Sequence, residues 1–384
     1  MDFALSSEQN AIVETARRFA IDRLMPGYRE RELAGRIERD VLKELGSLGL
    51  LGMELPERFG GAEAETVTTG LVTEELCAAD PNIGYALINA SLVGQIIAQH
   101  GSDDIAKEWL PQIVSGDKLA SIALTEPRGG SDAADLIIRA RRDGGDYVID
   151  GEKTSITFST QADLTILFAR TGPAESGAKG ISAFFVPLGA KGLTRTAFSD
   201  LGSRSVSRGS LFFDGVRIPA SYLLGEENRG FVQVMQGFDF SRALIGLQCL
   251  GAARQSLRET WDYVKDRKAF GKALSNFQGV TFPLAEAETY LEAARFLCLR
   301  TLWLKDQGLP HTAEAAMCKW WGPKLAAEII QTCLLLNGHS AYSSALPYEQ
   351  RLRDVLGLQI GDGTAQIMKL VIARQKAGRA AVPA

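Results

Sequence analysis

From residue 230 onward, apolar side chains recur at three- and four-residue intervals over stretches far longer than any strand. This limits the fold of the 384-residue chain more than any other feature. The pattern predicts helices over 231–265, 276–307, 311–336 and 364–378. Helices of that length bury their apolar faces against one another, so a helical bundle is expected there.

The first third is also helical, in shorter pieces. Ser6-Ser7-Glu8-Gln9 is a capping box, and Ile12, Val13, Ala16, Phe19 and Ala20 supply one apolar face behind it. Further helices are expected over 41–48, 66–79, 85–99 and 105–114, the last started by Gly101-Ser102-Asp103. The glycines between 46 and 52 do not form a dinucleotide fingerprint, because no strand precedes them and their spacing is wrong. Near Lys118 the texture changes. Apolar runs at 147–149, 164–169, 181–187 and 210–213 are short and parted by turn residues, and Asp143-Gly144-Gly145-Asp146 reads as a hairpin connection. The expected order is an N-terminal helical domain (1–118), a middle β domain (119–228) and a C-terminal helical domain (229–384), with no internal repeat.

Charge argues against several functions. Net charge is −4 with both signs well mixed, which suggests neither nucleic acid nor an anionic membrane as partner. No apolar run reaches the length of a membrane span, and the start, MDFALSSEQ, has neither signal-peptide nor transit-peptide character. Cys77, Cys249, Cys298, Cys318 and Cys333 form no CxxC and mostly sit in apolar helical contexts, so buried reduced thiols in a cytoplasmic protein are expected. His100, His311 and His339 offer no metal-ligand spacing, and no metal site is expected.

Four stretches carry possible chemistry. In Ile360-Gly361-Asp362-Gly363-Thr364-Ala365-Gln366, two glycines flank one carboxylate, and Thr364 reads as the N-cap of the helix that follows. Taken alone, these residues describe either a turn whose acid complements a helix dipole or a general base on a rigid corner. Leu124-Thr125-Glu126-Pro127-Arg128-Gly129-Gly130-Ser131-Asp132-Ala133 concentrates hydroxyls and glycine-freed N–H groups, as a polar, anionic cofactor requires; a plain loop has the same composition. Gly151-Glu152-Lys153-Thr154-Ser155-Ile156-Thr157 adds hydroxyls behind a strand. Asp266-Arg267-Lys268-Ala269-Phe270-Gly271-Lys272 ends a long helix with cations and one aromatic, suited to a pyrophosphate and a stacked ring or, in isolation, to a solvated helix end.

Together with Gln278, Asn337-Gly338 and Arg351-Leu352-Arg353-Asp354, these ordered signatures resemble the acyl-CoA dehydrogenase family over essentially the whole chain. The resemblance implies an α+β acyl-CoA dehydrogenase fold: an N-terminal helical domain, a middle β-barrel-like domain and a C-terminal four-helix bundle. It also implies FAD as cofactor, an acyl-CoA substrate, a homotetramer built from dimers, and an electron-transferring flavoprotein as acceptor. By the same resemblance, Leu124, Thr125, Ser131, Ser155 and Thr157 would meet the flavin, with Ser131 also near the CoA moiety. Arg267, Phe270, Gln278 and Gly338 would reach the FAD of a neighbouring subunit, and Thr364 and Gln366 its adenosine half. Asp239 and Arg242 would lie by the CoA arm and the catalytic loop, and Asp362 would be the base that removes the α-proton while the β-hydride goes to flavin N5.

Some positions depart from the family pattern. The common base is Glu, and here it is Asp362. Ser155 replaces the tryptophan that usually covers the flavin, leaving Phe158 or another group to shield the ring. Ala269 stands in place of a flavin-contacting Thr, and Leu334 in place of a frequent Gln. Members with the base on the earlier helix carry a Glu beside Arg242, where this chain has Phe240 and Ser241. The expectation is therefore an FAD-dependent enzyme that forms an α,β double bond in a CoA thioester. The shorter base points to an alicyclic substrate, cyclohexane-1-carboxyl-CoA or its cyclohexene analogue, as in the cyclohexanecarboxyl-CoA dehydrogenase-like members with an Asp base. The rival readings are a short- or branched-chain acyl-CoA dehydrogenase, a nitroalkane oxidase-like oxidase on the same fold, and a catalytically idle flavoprotein that serves as a binding partner.

Overall fold

The capping box at Ser6 starts the first helix as its residues dictate: Gln9 N donates to Ser6 Oγ at 3.1 Å, and Ser6 N donates to Gln9 Oε1 at 3.0 Å. The computed structural model describes residues 4–378 and 380–382, apart from the side chains of 233–236. Residues 1–3, the head of the segment read for targeting signals, and the last two residues of the 229–384 domain lie outside the described ones.

The N-terminal helices are α1 (Ser7–Phe19, continued by a π turn at Ala20–Leu24), α2 (Tyr28–Ala34), α3 (Arg39–Ser47), α4 (Thr66–Ala79), α5 (Ile83–His100) and α6 (Asp103–Val114). The strands that follow are β1 (Ala120–Ala123), β2 (Arg139–Asp143), β3 (Asp146–Ile156), β4 (Leu164–Arg170), β5 (Ile181–Pro187), β6 (Leu193–Ala197), β7 (Gly209–Pro219) and β8 (Leu223–Leu224). The chain then runs through α7 (Gly230–Asp266), the small hairpin β9 (Lys268–Ala269) and β10 (Lys272–Ala273), α8 (Gln278–Asp306), α9 (Thr312–Asn337), α10 (His339–Tyr342), α11 (Tyr348–Gly357) and α12 (Ala365–Ala377). Helices, sheet and helices therefore follow in the order expected.

The sheet runs β6-β7-β3-β2-β4-β5-β8, with β1 added in parallel to β4. Gly144-Gly145 makes the two-residue hairpin between β2 and β3, where Asp143 pairs with Asp146 and Gly144 takes φ +62°. One hydrophobic core joins the N-terminal helices to the strands, and a second fills the C-terminal bundle.

Helix α4 lies between the two cores. Nearly all its side chains are buried, so it carries no single apolar stripe. Its first turn is capped from far away in the sequence, since Asp306 at the end of α8 accepts from Thr66 N at 2.8 Å and Val67 N at 3.1 Å.

Helices α7 and α9 cross closely at Gly246 and Gly322, where a Cβ on Gly322 would lie 2.8 Å from Gly246 Cα. Arg242 and Lys319 each stand about one turn ahead of that crossing. Among the described residues, no helix is long and apolar enough to cross a membrane. All five cysteines are buried and free.

Candidate active site

Asp362 occupies the loop between α11 and α12. It takes φ +55° and is followed by Gly363 at φ +97°. The left-handed conformation is uncommon for a residue with a side chain, and Asp adopts it more readily than most. Thr364 caps α12 as read from the sequence, its hydroxyl oxygen accepting from Ile367 N at 3.3 Å.

Protein atoms crowd the Asp362 carboxyl and push its pKa above the ordinary aspartate value by desolvation, while the Lys319 and Arg242 cations pull it back down. The residue nonetheless stays open to solvent. That exposure limits how far the shift can go. The Asp362 N–H has no acceptor among the described residues.

Lys319 was not singled out by sequence reasoning. Its Nζ, fully buried, donates to Leu358 O at 2.7 Å and to Gly363 O at 3.0 Å. The available signal was one charge inside the apolar run Ala315-Ala316-Met317-Cys318-Lys319-Trp320-Trp321. Arg242 is held by Asp239 at 2.8 Å, and Asp239 also accepts from Thr312 Oγ1 at 2.6 Å, so the predicted pair stands together beside the Asp362 loop. Tyr85 of α5 is near enough to feel the Asp362 charge, and its hydroxyl lies 3.5 Å from Ser203 Oγ.

A second cluster forms where β1 and β3 meet. Lys153 Nζ donates to Leu124 O at 2.7 Å and to Glu126 Oε1 at 2.8 Å, and Glu126 accepts from Ile137 N at 2.7 Å and Ile138 N at 3.2 Å. Both charged groups are buried, and desolvation lowers the Lys153 pKa to about 8. The pair closes the neck of the 127–136 loop. Thr154 N donates to Thr125 O at 2.9 Å, joining the two hydroxyl-bearing stretches. Thr125, Ser131, Ser155 and Thr157 thus belong to one region, on segments that are half-buried or exposed.

The β3–β7 register slips between Lys153 and Ile156, and Ser155 takes φ +59° there. Phe158, expected as a candidate shield, is wholly inside the core, where it cannot cover a bound ring. The group at Ser155 is instead Arg208, whose Nη1 donates to Ser155 Oγ at 3.0 Å while Asp200 holds the rest of the guanidinium and Phe198 lies beneath it.

Arg267, Phe270 and Gln278 are not gathered to this region. They lie exposed around the β9–β10 hairpin, which packs on α7 and on the turn into α8. Phe270 is 95% exposed, and Gly338 at the end of α9 has nothing within 4 Å of where a Cβ would be. Gln366 is exposed on the first turn of α12.

Family models describe three successive segments as the N-terminal, middle and C-terminal domains of acyl-CoA dehydrogenase, over residues 6–117, 121–216 and 228–377. The chain is also 34% identical to the probable acyl-CoA dehydrogenase YngJ of Bacillus subtilis strain 168, across 98% of this chain and 99% of that protein. The chain belongs to the acyl-CoA dehydrogenase family.

This acyl-CoA dehydrogenase superposes on butyryl-CoA dehydrogenase from Megasphaera elsdenii with a TM-score of 0.94 at 31% identity, covering 98% of this chain and 100% of the other. A glutaryl-CoA dehydrogenase from Mycobacterium smegmatis in complex with FADH2 matches with a TM-score of 0.93 at 30% identity, covering 99% and 97% of the two chains. The cofactor of the enzyme is FAD. The donor set at the β1–β3 region suits it: hydroxyls and loop N–H groups can meet the polar edge of a flavin ring, and the open Gly129-Gly130 loop leaves room for close approach.

Proposed function

We propose that this acyl-CoA dehydrogenase introduces an α,β double bond into an alicyclic thioester, cyclohexane-1-carboxyl-CoA or its cyclohexene analogue, with Asp362 as the base that removes the α-proton. The observation that carries the reading is the Asp362 loop: one solvent-open carboxyl on the turn between α11 and α12, its pKa raised by desolvation and opposed by the Lys319 and Arg242 cations. Its free N–H is available to a thioester carbonyl, and that hydrogen bond would acidify the α-carbon as the proton leaves. FAD held in the β1–β3 region would supply the two-electron acceptance that the departing β-hydride needs. Leu124, Thr125, Ser131, Ser155 and Thr157 would hold the flavin, with Ser131 also towards CoA, and Asp239 and Arg242 would flank the CoA arm.

The ring follows from the length of the base. Asp is one methylene shorter than the usual Glu and sits back by ~1.5 Å. A linear chain fills little of that space, whereas a ring methine brings bulk to it. The competing account is a short- or branched-chain enzyme whose loop moves inward.

Exposed Arg267, Phe270, Gln278 and Gly338 support FAD shared between subunits of a homotetramer, in which Thr364 and Gln366 face the adenosine half. Large apolar side chains left exposed on α8 and α9, Phe282, Tyr290 and Leu335, support subunit packing on that side. Buried free thiols accord with a cytoplasmic setting, and an electron-transferring flavoprotein is the proposed acceptor.

Anaerobic flavin reduction by cyclohexanecarboxyl-, butyryl-, isobutyryl- and octanoyl-CoA tests the reading. The ring thioester should give the highest kcat/KM. A tenfold preference for a linear chain, about 1.4 kcal/mol at the transition state, would overturn it. No bleaching by any thioester would return the idle-flavoprotein reading, and rapid reoxidation in air would favour an oxidase.

A further inference from the structure

The stretch between Leu358 and Thr364 gives itself little support. Ile360 N and Gly361 N both return to Gly357 O, at 3.1 and 3.0 Å, and Asp362 beyond them has no such bond among the described residues. Asp362 and Gly363 are also the two successive left-handed positions. The base therefore sits on the part of the loop least able to fix itself.

Lys319 spans that gap from α9. Its ammonium holds one carbonyl on each side of the base, Leu358 O at 2.7 Å and Gly363 O at 3.0 Å. Leu358 is the C-cap of α11, where orphan carbonyls favour a cation. A wholly buried lysine usually has a carboxylate in direct contact. Here it has two neutral carbonyls, with the Asp362 charge acting on it from nearby.

We infer that Lys319 is a positioning residue for the proton transfer, clamping the loop on both sides of Asp362 and setting its charge beside the carboxyl. The inference rests on the reading of Asp362 as the base. Its reach can be read from the other groups that face the pair. Arg242 of α7 also acts on Asp362 but is bound to Asp239. Cys249 of α7 has its pKa pushed up to about 12 by burial, and burial also raises that of Tyr85 of α5, so both stay neutral. Lys319 is thus the cation committed to the loop itself. Burial brings its own pKa down to about 8, with Asp362 opposing.

The test uses the FAD-loaded enzyme and whichever panel thioester bleaches the wild-type flavin fastest. Lys319→Met keeps the aliphatic stem and removes the ammonium, while Lys319→Gln keeps a donor without the charge. Both should retain FAD. The Met variant should reduce its flavin about 10- to 100-fold more slowly at pH 7, the scale of a base misplaced by about 1 Å. In both variants the acid limb of the rate should move to higher pH, and Gln should recover part of the rate but none of that shift. A Met variant with the wild-type rate and limb overturns the inference, as does a Gln variant with the wild-type limb. If neither variant folds, Lys319→Arg decides. It keeps both the charge and the donors, so it should hold the wild-type acid limb, and a limb moved to higher pH overturns the inference. Asp362→Asn serves as the control. If it still reduces the flavin, the reading of the base fails. If it is inactive while Lys319→Met is unchanged, the failure belongs to the clamp alone.

Discussion

The Tyr28 hydroxyl donates to Asp354 Oδ2 at 2.6 Å across 326 residues of sequence. Asn82 Nδ2 donates to the same oxygen at 2.8 Å, and Ser203 N donates to Oδ1 at 2.6 Å. One carboxyl thus joins the N-terminal helices, the sheet domain and α11. Desolvation raises its pKa to about 7 even though all three donors favour the ionised form. In the unfolded chain the group ionises near its ordinary value, so from about pH 4 to 7 the folded state holds the extra proton. Stability from this group is then greatest at the acid end of that window and falls as pH rises through it. Comparing urea unfolding of wild type and Asp354→Asn at pH 5.0 and 7.5 should show the wild type losing roughly 2 kcal/mol relative to the variant. An equal gap at both pH values would contradict it.

The buried Lys153–Glu126 pair predicts strong non-additivity. Lys153→Met leaves the Glu126 charge buried with only the Ile137 and Ile138 N–H groups to hold it. The expected cost is about 3 to 5 kcal/mol, together with loss of FAD from the loosened 127–136 loop. The double variant Lys153→Met/Glu126→Gln should recover much of both, read by the urea midpoint and flavin absorbance per chain.

How much of this could be read from the sequence depends on what holds each element. Where apolar periodicity specifies a helix, as in α7, α8 and α9, the expected ends fall within two residues of those observed. Helices α2 and α11 were not anticipated, because most of what they bury is polar: Arg31 and Glu32 beside Tyr28 in one, Gln350, Arg351 and Asp354 beside Tyr348 and Val355 in the other. Arg31 Nε donates to Asp80 at 2.6 Å, and Arg351 grips Glu259 at 2.6 and 2.8 Å. A helix held by ion pairs to distant segments leaves no local pattern. The candidate site divides in the same way. Asp362 and the hydroxyl stretches were visible as motifs, whereas Lys319 and Arg208 matter through partners far along the chain.

Arg267→Ala tests the proposed sharing of FAD. Arg267, Phe270 and Gln278 lie exposed around a hairpin packed on the helical bundle, so a role in flavin binding requires another subunit to come to them. The variant should lose FAD and assembly together, measured by absorbance and light scattering at matched concentration. A wild-type monomer carrying one FAD per chain would sink the shared site.

Asp362 bears the last prediction. Asp362→Asn preserves shape and the left-handed turn, so FAD should stay bound while flavin reduction by substrate falls by about 10² to 10⁴, the scale of a lost general base. In wild type the carboxyl must be ionised to act, and desolvation has raised its pKa, so the acid limb of kcat/KM should lie above the ordinary aspartate value. Asp362→Glu separates the two explanations for the short base. The longer arm moves the carboxyl forward by ~1.5 Å into the space reserved for a ring methine. If that space explains the Asp, kcat/KM should fall at least tenfold more for cyclohexanecarboxyl-CoA than for butyryl-CoA. If Asp is present because the loop takes φ +55°, where Glu is less readily accommodated, the two thioesters should lose rate equally. Equal losses would therefore remove the support that the length of the base gives to an alicyclic substrate.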